Sequence, residues 1–275
     1  MIRSTFAYLL SSSIILCLCF PACTKKNTPV PAKTPAPSKD IPVVPTPIAE
    51  KPHLPAKLAS DNLIITFKYI GTSGNVTEIE SSDGAKEIYM YKGENQLSKY
   101  ERYEKKELKY SVFYVLDQDG GVTRGNQYKV ESNGAVLTPT GNYRIEYDAE
   151  KRISKVSWYD NSKQLLREAI RTYNTDGTSL NITTTGQDAG VADYTFDNKK
   201  ARCRSIINHQ ILSIESLSGL LLSNTNNLSK ISSSSTNALN KTYTYTYDTD
   251  NFPTSWIETD AKGSKKTFKL TYNVN

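Results

Sequence analysis

The sequence predicts an all-β chain: an antiparallel meander of about fifteen short strands, interrupted by one helix inserted near residues 203–222. Three observations carry the prediction. Tyr243, Tyr245 and Tyr247 alternate with Thr242, Thr244 and Thr246, a period of two that puts rings on one face of a strand and hydroxyls on the other. Aromatic strand ends followed by turn residues recur at Tyr69, Tyr91, Tyr114, Tyr147, Tyr173, Phe196, Tyr247 and Tyr272, mostly about 22 to 26 residues apart, the length of one hairpin with its two turns. Between 203 and 222 the apolar spacing changes to three and four, which is helical.

The chain opens on a segment to be removed. Arg3 precedes an apolar run from Phe6 to Phe20 broken only by Ser11, Ser12 and Ser13, a signal peptide (1–22) too short for a comfortable membrane span. Phe20-Pro21-Ala22-Cys23 resembles the lipobox of bacterial lipoproteins, with Phe20 where that family usually has Leu and Pro21 where it rarely has Pro. The resemblance implies that Cys23 is acylated as a lipid anchor in a Gram-negative envelope, at the outer membrane; ordinary cleavage near Ala22 is the alternative. Most of the chain's twelve prolines then fall between Thr24 and Ala56, so residues 23–59 read as anchor and extended tether that cannot bury enough apolar surface to fold. Envelope lipoproteins exported to the cell surface carry acidic residues just after the Cys. Here Thr24-Lys25-Lys26 is basic and Asp40 is the first acid, which favours the periplasmic face.

Residues 60–275 read as one β domain. Gly71, Gly74, Asp83-Gly84, Asp119-Gly120-Gly121, Asp176-Gly177 and Lys262-Gly263 mark its reversals, and short connections of this kind join neighbouring antiparallel strands. Pro253, unable to donate to a ladder, is placed at the first residue of its strand. Two spacings are long. Residues 133–142, between Tyr114 and Tyr147, read as an extra loop. The span from Phe196 to Tyr247 holds the insert, where Cys203, Ile206, Ile207, Ile211, Ile214, Leu217 and Leu221 follow helical spacing as one helix or two split near Ser213, with a strand pair as the alternative.

Composition limits the chemistry. Of four cysteines, Cys17 and Cys19 leave with the signal and Cys23 is the anchor, so Cys203 is alone in the domain; no internal disulfide is expected and the thiol reads as a small apolar contact. The two histidines, His53 in the tether and His209 in the insert, give no catalytic set by spacing. Acidic side chains sit in turns, at Asp83, Asp117, Asp119, Asp148, Asp160, Asp176, Asp197, Asp248 and Asp250. Asp117-Gln118-Asp119-Gly120 is similar to the start of a calcium loop, but Tyr128 stands at its twelfth position, where a bidentate Glu is needed. A net charge of +6 without a dense basic cluster does not indicate nucleic acid. The expectation is therefore a non-enzyme, with no catalytic residues, metal or cofactor assigned.

Phe196-Asp197, the Ile/Leu-rich insert, Asn226-Asn227-Leu228-Ser229-Lys230, the Tyr/Thr strand and Asn251-Phe252-Pro253-Thr254 together resemble a family of bacterial lipoproteins of unknown function with a porin-like fold. The tyrosine-aspartate unit also resembles the YD repeats of large bacterial shell proteins. The family resemblance implies a meander curled into a barrel or half-barrel around the inserted helix. One strand face is Thr, Ser, Lys and Glu and the other Tyr with aliphatics, which suits a water-soluble barrel, not one with an apolar outer band. Most of the eighteen tyrosines read as cross-strand packing. A subset at an open mouth would make the chain a binding module for a small amphipathic ligand or a glycan, or else a scaffold for an envelope protein; the sequence assigns no ligand-binding residues.

Overall fold

The alternating segments pair in sequence order, and the first strand closes on the last to give a barrel of sixteen antiparallel strands. The computed structural model describes residues 52–131, 134, 136–216, 225–234 and 239–274. Its first eight strands are β1 (His53–Ser60), β2 (Leu63–Tyr69), β3 (Val76–Ser81), β4 (Ala85–Lys92), β5 (Gln96–Glu104), β6 (Glu107–Leu116), β7 (Val122–Glu131) and β8 (Val136–Tyr147). There follow β9 (Ile153–Tyr159), β10 (Leu165–Tyr173), β11 (Ser179–Gly186), β12 (Gly190–Lys200), α1 (His209–Glu215), β13 (Asn226–Ser233), β14 (Lys241–Tyr247), β15 (Pro253–Asp260) and β16 (Lys265–Val274). The aromatic repeat thus marks the even strands, one per hairpin.

Two local devices recur. In five turns an Asp donates its N–H to the carbonyl four residues on: Asp117 to Gly121, Asp148 to Arg152, Asp160 to Gln164, Asp248 to Phe252 and Asp260 to Ser264. Its Oδ1 accepts the N–H of that same residue at 2.7–2.8 Å. The third residue after the Asp is left-handed each time, from Lys151 at φ 59 to Gly120 at φ 84, closing a tight hairpin loop. The second device is a latch. Near the end of an even strand a tyrosine hydroxyl donates to a carbonyl at the start of the strand before it. The pairs are Tyr69 with Pro55 (2.7 Å), Tyr91 with Val76 (2.9 Å), Tyr147 with Val122 (2.6 Å), Tyr173 with Ile153 (3.1 Å), Tyr245 with Leu228 (2.7 Å) and Tyr272 with Pro253 (2.9 Å). Phe196 has no hydroxyl for this.

The strand faces divide as the alternation requires. Thr242, Thr244, Thr246, Thr267, Lys269 and Thr271 are exposed on the outer wall, and Glu78 pairs there with Lys68 and Lys86, each at 2.6 Å. Exposed Ile64, Met90, Ile170 and Ile257 are interspersed among these polar residues. Inside, Tyr89, Tyr100, Tyr143, Ile153 and Val112 are buried in one cluster that also takes in Cys203, Ile206, Ile211 and Leu212 of the insert. Sixteen strands make a barrel too wide for its own side chains to fill, so the insert acts as a plug.

The structure corrects the sequence reading in several places. Residues 53–59, expected to be tether, are strand: His53 is buried, stacked on the Phe252 ring at 4.0 Å and edge-on to Tyr272 at 5.7 Å. Residues 136–142, expected in an extra loop, are β8, paired with β7 along its length. Asp197 lies within β12, not in a turn. The helix is shorter than 203–222 predicts. Residues 202–208 are turns and a bend, Asn208 is left-handed at φ 61, and extended Ser216 ends α1; Leu217 and Leu221 lie outside the described residues. The helix runs unbroken through Ser213, whose Oγ donates back to the Gln210 carbonyl at 2.6 Å.

Gly125 in β7 shows how tightly the interior is packed. A Cβ there would lie 2.4 Å from Cζ of Tyr143, so the ring occupies the space that any other residue would need. Gly125→Ala is expected to lower stability by roughly 1 to 3 kcal/mol through overpacking, read as a lower midpoint in thermal or denaturant melts. Replacing buried Ile211 and its core-packed neighbour Ile214 together by Asp should unfold or loosen the barrel, since each buried aliphatic contributes roughly 1.5 to 3 kcal/mol; circular dichroism melts report it.

Candidate functional site

The plug enters through the mouth where even strands end and odd strands begin, and its backbone is stitched to the rim. The Ile207 N–H donates to the Gly74 carbonyl at 3.0 Å and the Ala201 N–H to that of Thr225 at 2.9 Å. Asn208 Nδ2 donates to the Asn95 carbonyl at 3.0 Å, and Gln210 Oε1 accepts the Ile153 N–H at 2.9 Å. Gly74 is required by this contact, because a Cβ on it would sit 2.2 Å from the Ser205 carbonyl oxygen. Asn227, itself buried, accepts the Arg202 N–H at 2.9 Å, and Asp197 accepts the Asn227 N–H at 3.0 Å and the Tyr247 hydroxyl.

Arg202 carries a charge into the barrel. Its guanidinium lies 4.8 Å from the centre of the Trp256 ring, and Nη1 is 3.5 Å from the Tyr245 hydroxyl. Burial is the largest single influence and works against the charge, but Tyr245, Cys203, Tyr243 and Tyr272 together favour it, and the net shift is upward. Sequence reasoning missed Arg202, because neither it nor nearby Arg204 gives a periodic signal in an Ile-rich insert. Burial pushes the neighbouring Cys203 thiol up to about 11, which fits the reading of this residue as a core contact.

At the rim a recess of about 460 Å³ opens between the β6–β7 and β8–β9 turns and the first turn of α1. Asp117, Asp119, Tyr147, Lys151, His209 and Gln210 line it. The Tyr147 hydroxyl is tied to the Val122 carbonyl, and burial followed by the Asp117 charge pushes it up to about 12. His209 Nδ1 lies 3.2 Å from the Ile206 carbonyl. The recess thus offers an aromatic ring, an amide, charges of both signs and an imidazole. A second opening of about 570 Å³, toward the other end of the barrel, is bordered by Arg102, Glu104, Lys109, Lys129 and Glu131; Lys109 pairs with Glu107, and Lys129 with Glu131 at 3.0 Å.

The residues singled out in the sequence fall as follows. Cys23 lies outside the described residues. His53 belongs to β1 and approaches Asp250 at 3.7 Å, whereas His209 starts α1 and faces the recess. The calcium-like run Asp117–Gly120 forms a hairpin turn in which Asp117 Oδ1 accepts the N–H groups of Asp119 and Gly121. Among the described residues no group of three or more His, Cys, Asp or Glu side chains is placed to hold a metal ion.

No protein-family model matches this chain, and no curated protein matches it. Among solved structures it is similar to a porin-like protein from Bacteroides uniformis, with a TM-score of 0.54 and 14% identity over 80% of this chain and 95% of that one. That likeness is one of fold. A crystal structure of TcdB2–TccC3–Cdc42 aligns with 77% of this chain and 12% of its own at 13% identity, with a TM-score of 0.31, too low to bear on the fold.

The buried thiol gives a direct check. In native protein Cys203 is expected to escape alkylation at neutral pH and to react fully in denaturant, because its thiolate is disfavoured and covered; peptide mass spectrometry distinguishes the two.

Proposed function

We propose that this chain is a lipid-anchored, non-catalytic binding module of the bacterial envelope, which engages its partner at the plugged mouth of the barrel. The observation that carries this reading is the filled interior. Ile206, Ile211 and Leu212 of the insert occupy, with Tyr89, Tyr100 and Tyr143, the space in which a sixteen-stranded porin keeps a water-filled channel. The polar outer wall argues in the same direction, since a membrane-spanning barrel needs a continuous apolar band there. Neither conduction nor carriage of a lipid inside the barrel suits such packing.

The rim recess is the place for a partner. Tyr147 beside carboxylate, amide and imidazole groups suits a polar ring such as a glycan, or the side chains of an envelope protein. The Phe20–Cys23 motif supports anchoring through Cys23, and the basic residues that follow it support the periplasmic face of the outer membrane.

Cys23→Ala is expected to move the protein from the membrane fraction to the soluble one and to abolish acyl labelling; membrane association and labelling that persist unchanged would refute the anchor. Full chain added to planar bilayers should give no channel steps, and native mass spectrometry should show no dissociable lipid beyond the covalent acyl chains on Cys23. Steady porin-like conductance, or a stoichiometric lipid held non-covalently in addition to the Cys23 acyl chains, would refute a plugged binding module.

A further inference from the structure

Glu215 is a carboxylate that neither the strand ladders nor the recess uses. It is the last residue of α1, the opposite end from the turn that walls the recess. Its Oε1 is buried, as are the Tyr114 and Tyr143 hydroxyls of the core it enters, and no well-formed hydrogen bond reaches any of the three. Buried polar atoms left without well-formed hydrogen bonds are costly, and more so when one of them is charged.

The groups facing Glu215 come from five neighbouring strands. From β5, the Tyr100 hydroxyl donates to the Glu215 main-chain carbonyl at 3.4 Å, and Arg102 supplies the positive charge. Tyr110 of β6, Gln127 of β7 and Tyr143 of β8 face the carboxylate, and Gln127 donates to the Tyr110 hydroxyl at 2.6 Å. Tyr114 couples to it through Tyr143. From β4, buried Glu87 accepts the Ser216 hydroxyl at 3.4 Å and that of Tyr89, so a second acid lies beside the helix end. Arg102 also reaches Glu104 at 3.6 Å, so its charge is shared between two acids.

We propose that Glu215 is a proton-controlled catch for the plug. Neutral, it keeps the end of α1 seated among Tyr110, Tyr114 and Tyr143; ionised, it places a poorly compensated charge in the barrel and loosens the helix. Burial is the largest influence on the carboxyl. The hydroxyls of Tyr143 and Tyr110 pull the other way, and the balance leaves it pushed up to about 7. Between its ordinary 4.5 and that value the folded chain keeps a proton that the unfolded chain has lost. The seated state is therefore at its most stable below the ordinary value and weakens as pH rises through about 7. Because the first turn of α1 walls the recess, loosening would alter the partner site; that consequence rests on the function proposed above, whereas the catch does not.

Hydrogen exchange of the full chain at about pH 5.5 and about pH 8.5, corrected for intrinsic rates, tests the catch without any partner. Protection of peptides covering α1 is expected to fall by about tenfold or more at the higher pH, with the latched strand ends unchanged, and Glu215→Gln should make α1 protection independent of pH. Tyr143→Phe, which removes a hydroxyl that favours the ionised carboxylate, should move the midpoint upward, and it decides the matter if the Gln variant fails to fold. The proposal is overturned if α1 protection in the wild type ignores pH, if Glu215→Gln keeps the same dependence, or if Tyr143→Phe leaves the midpoint in place.

Discussion

The bond from a tyrosine hydroxyl to a carbonyl at the start of the preceding strand is the interaction on which the barrel's regularity depends. Strand ladders fix spacing, but they do not stop the mouth of a wide barrel from fraying where each ladder runs out. A phenol solves this locally. Its ring lies in the apolar interior while its hydroxyl satisfies a main-chain oxygen at the rim. The Pro55, Val76, Val122, Ile153, Leu228 and Pro253 carbonyls are all taken up this way. The aspartate that follows in several repeats then turns the chain back.

This pairing explains why the hairpins were legible in the sequence. Alternation, the aromatic strand ends and the Asp turns are all local, and each points to the same strand. What escaped was governed by distant partners. β1 carries Pro55 and follows directly on a proline-rich run, which locally reads as tether, and it becomes strand because β16 and β2 pair with its two sides. β8 carries Pro139 and Gly141, which read as a loop, yet β7 holds it in register across a bulge. The insert announced itself by its period, but only part of it is helix, since Asn208 and the Gly74 contact fix its entry.

The candidate site was less legible, for the same reason. Its recess brings together two turns and a helix end that are far apart in sequence, and none of those residues is unusual in its own neighbourhood. Arg202 and Glu215 are single charges in an amphipathic insert, with nothing local to set them apart. Only the barrel around them turns one into a buried guanidinium over Trp256 and the other into a carboxyl that holds its proton near neutrality.

The closure of β1 on β16 bears on how the chain is made. These strands stand at opposite ends of the domain, so their pairing closes the longest loop in the fold and must wait until β16 has been made. Until then β1 presents an unpaired edge, the kind of surface on which foreign strands add. Pro55, which lies on that edge opposite Tyr272 beside a register shift, has no N–H to offer. The residue that disguises β1 as tether thus also guards the nascent chain against the wrong partner during assembly.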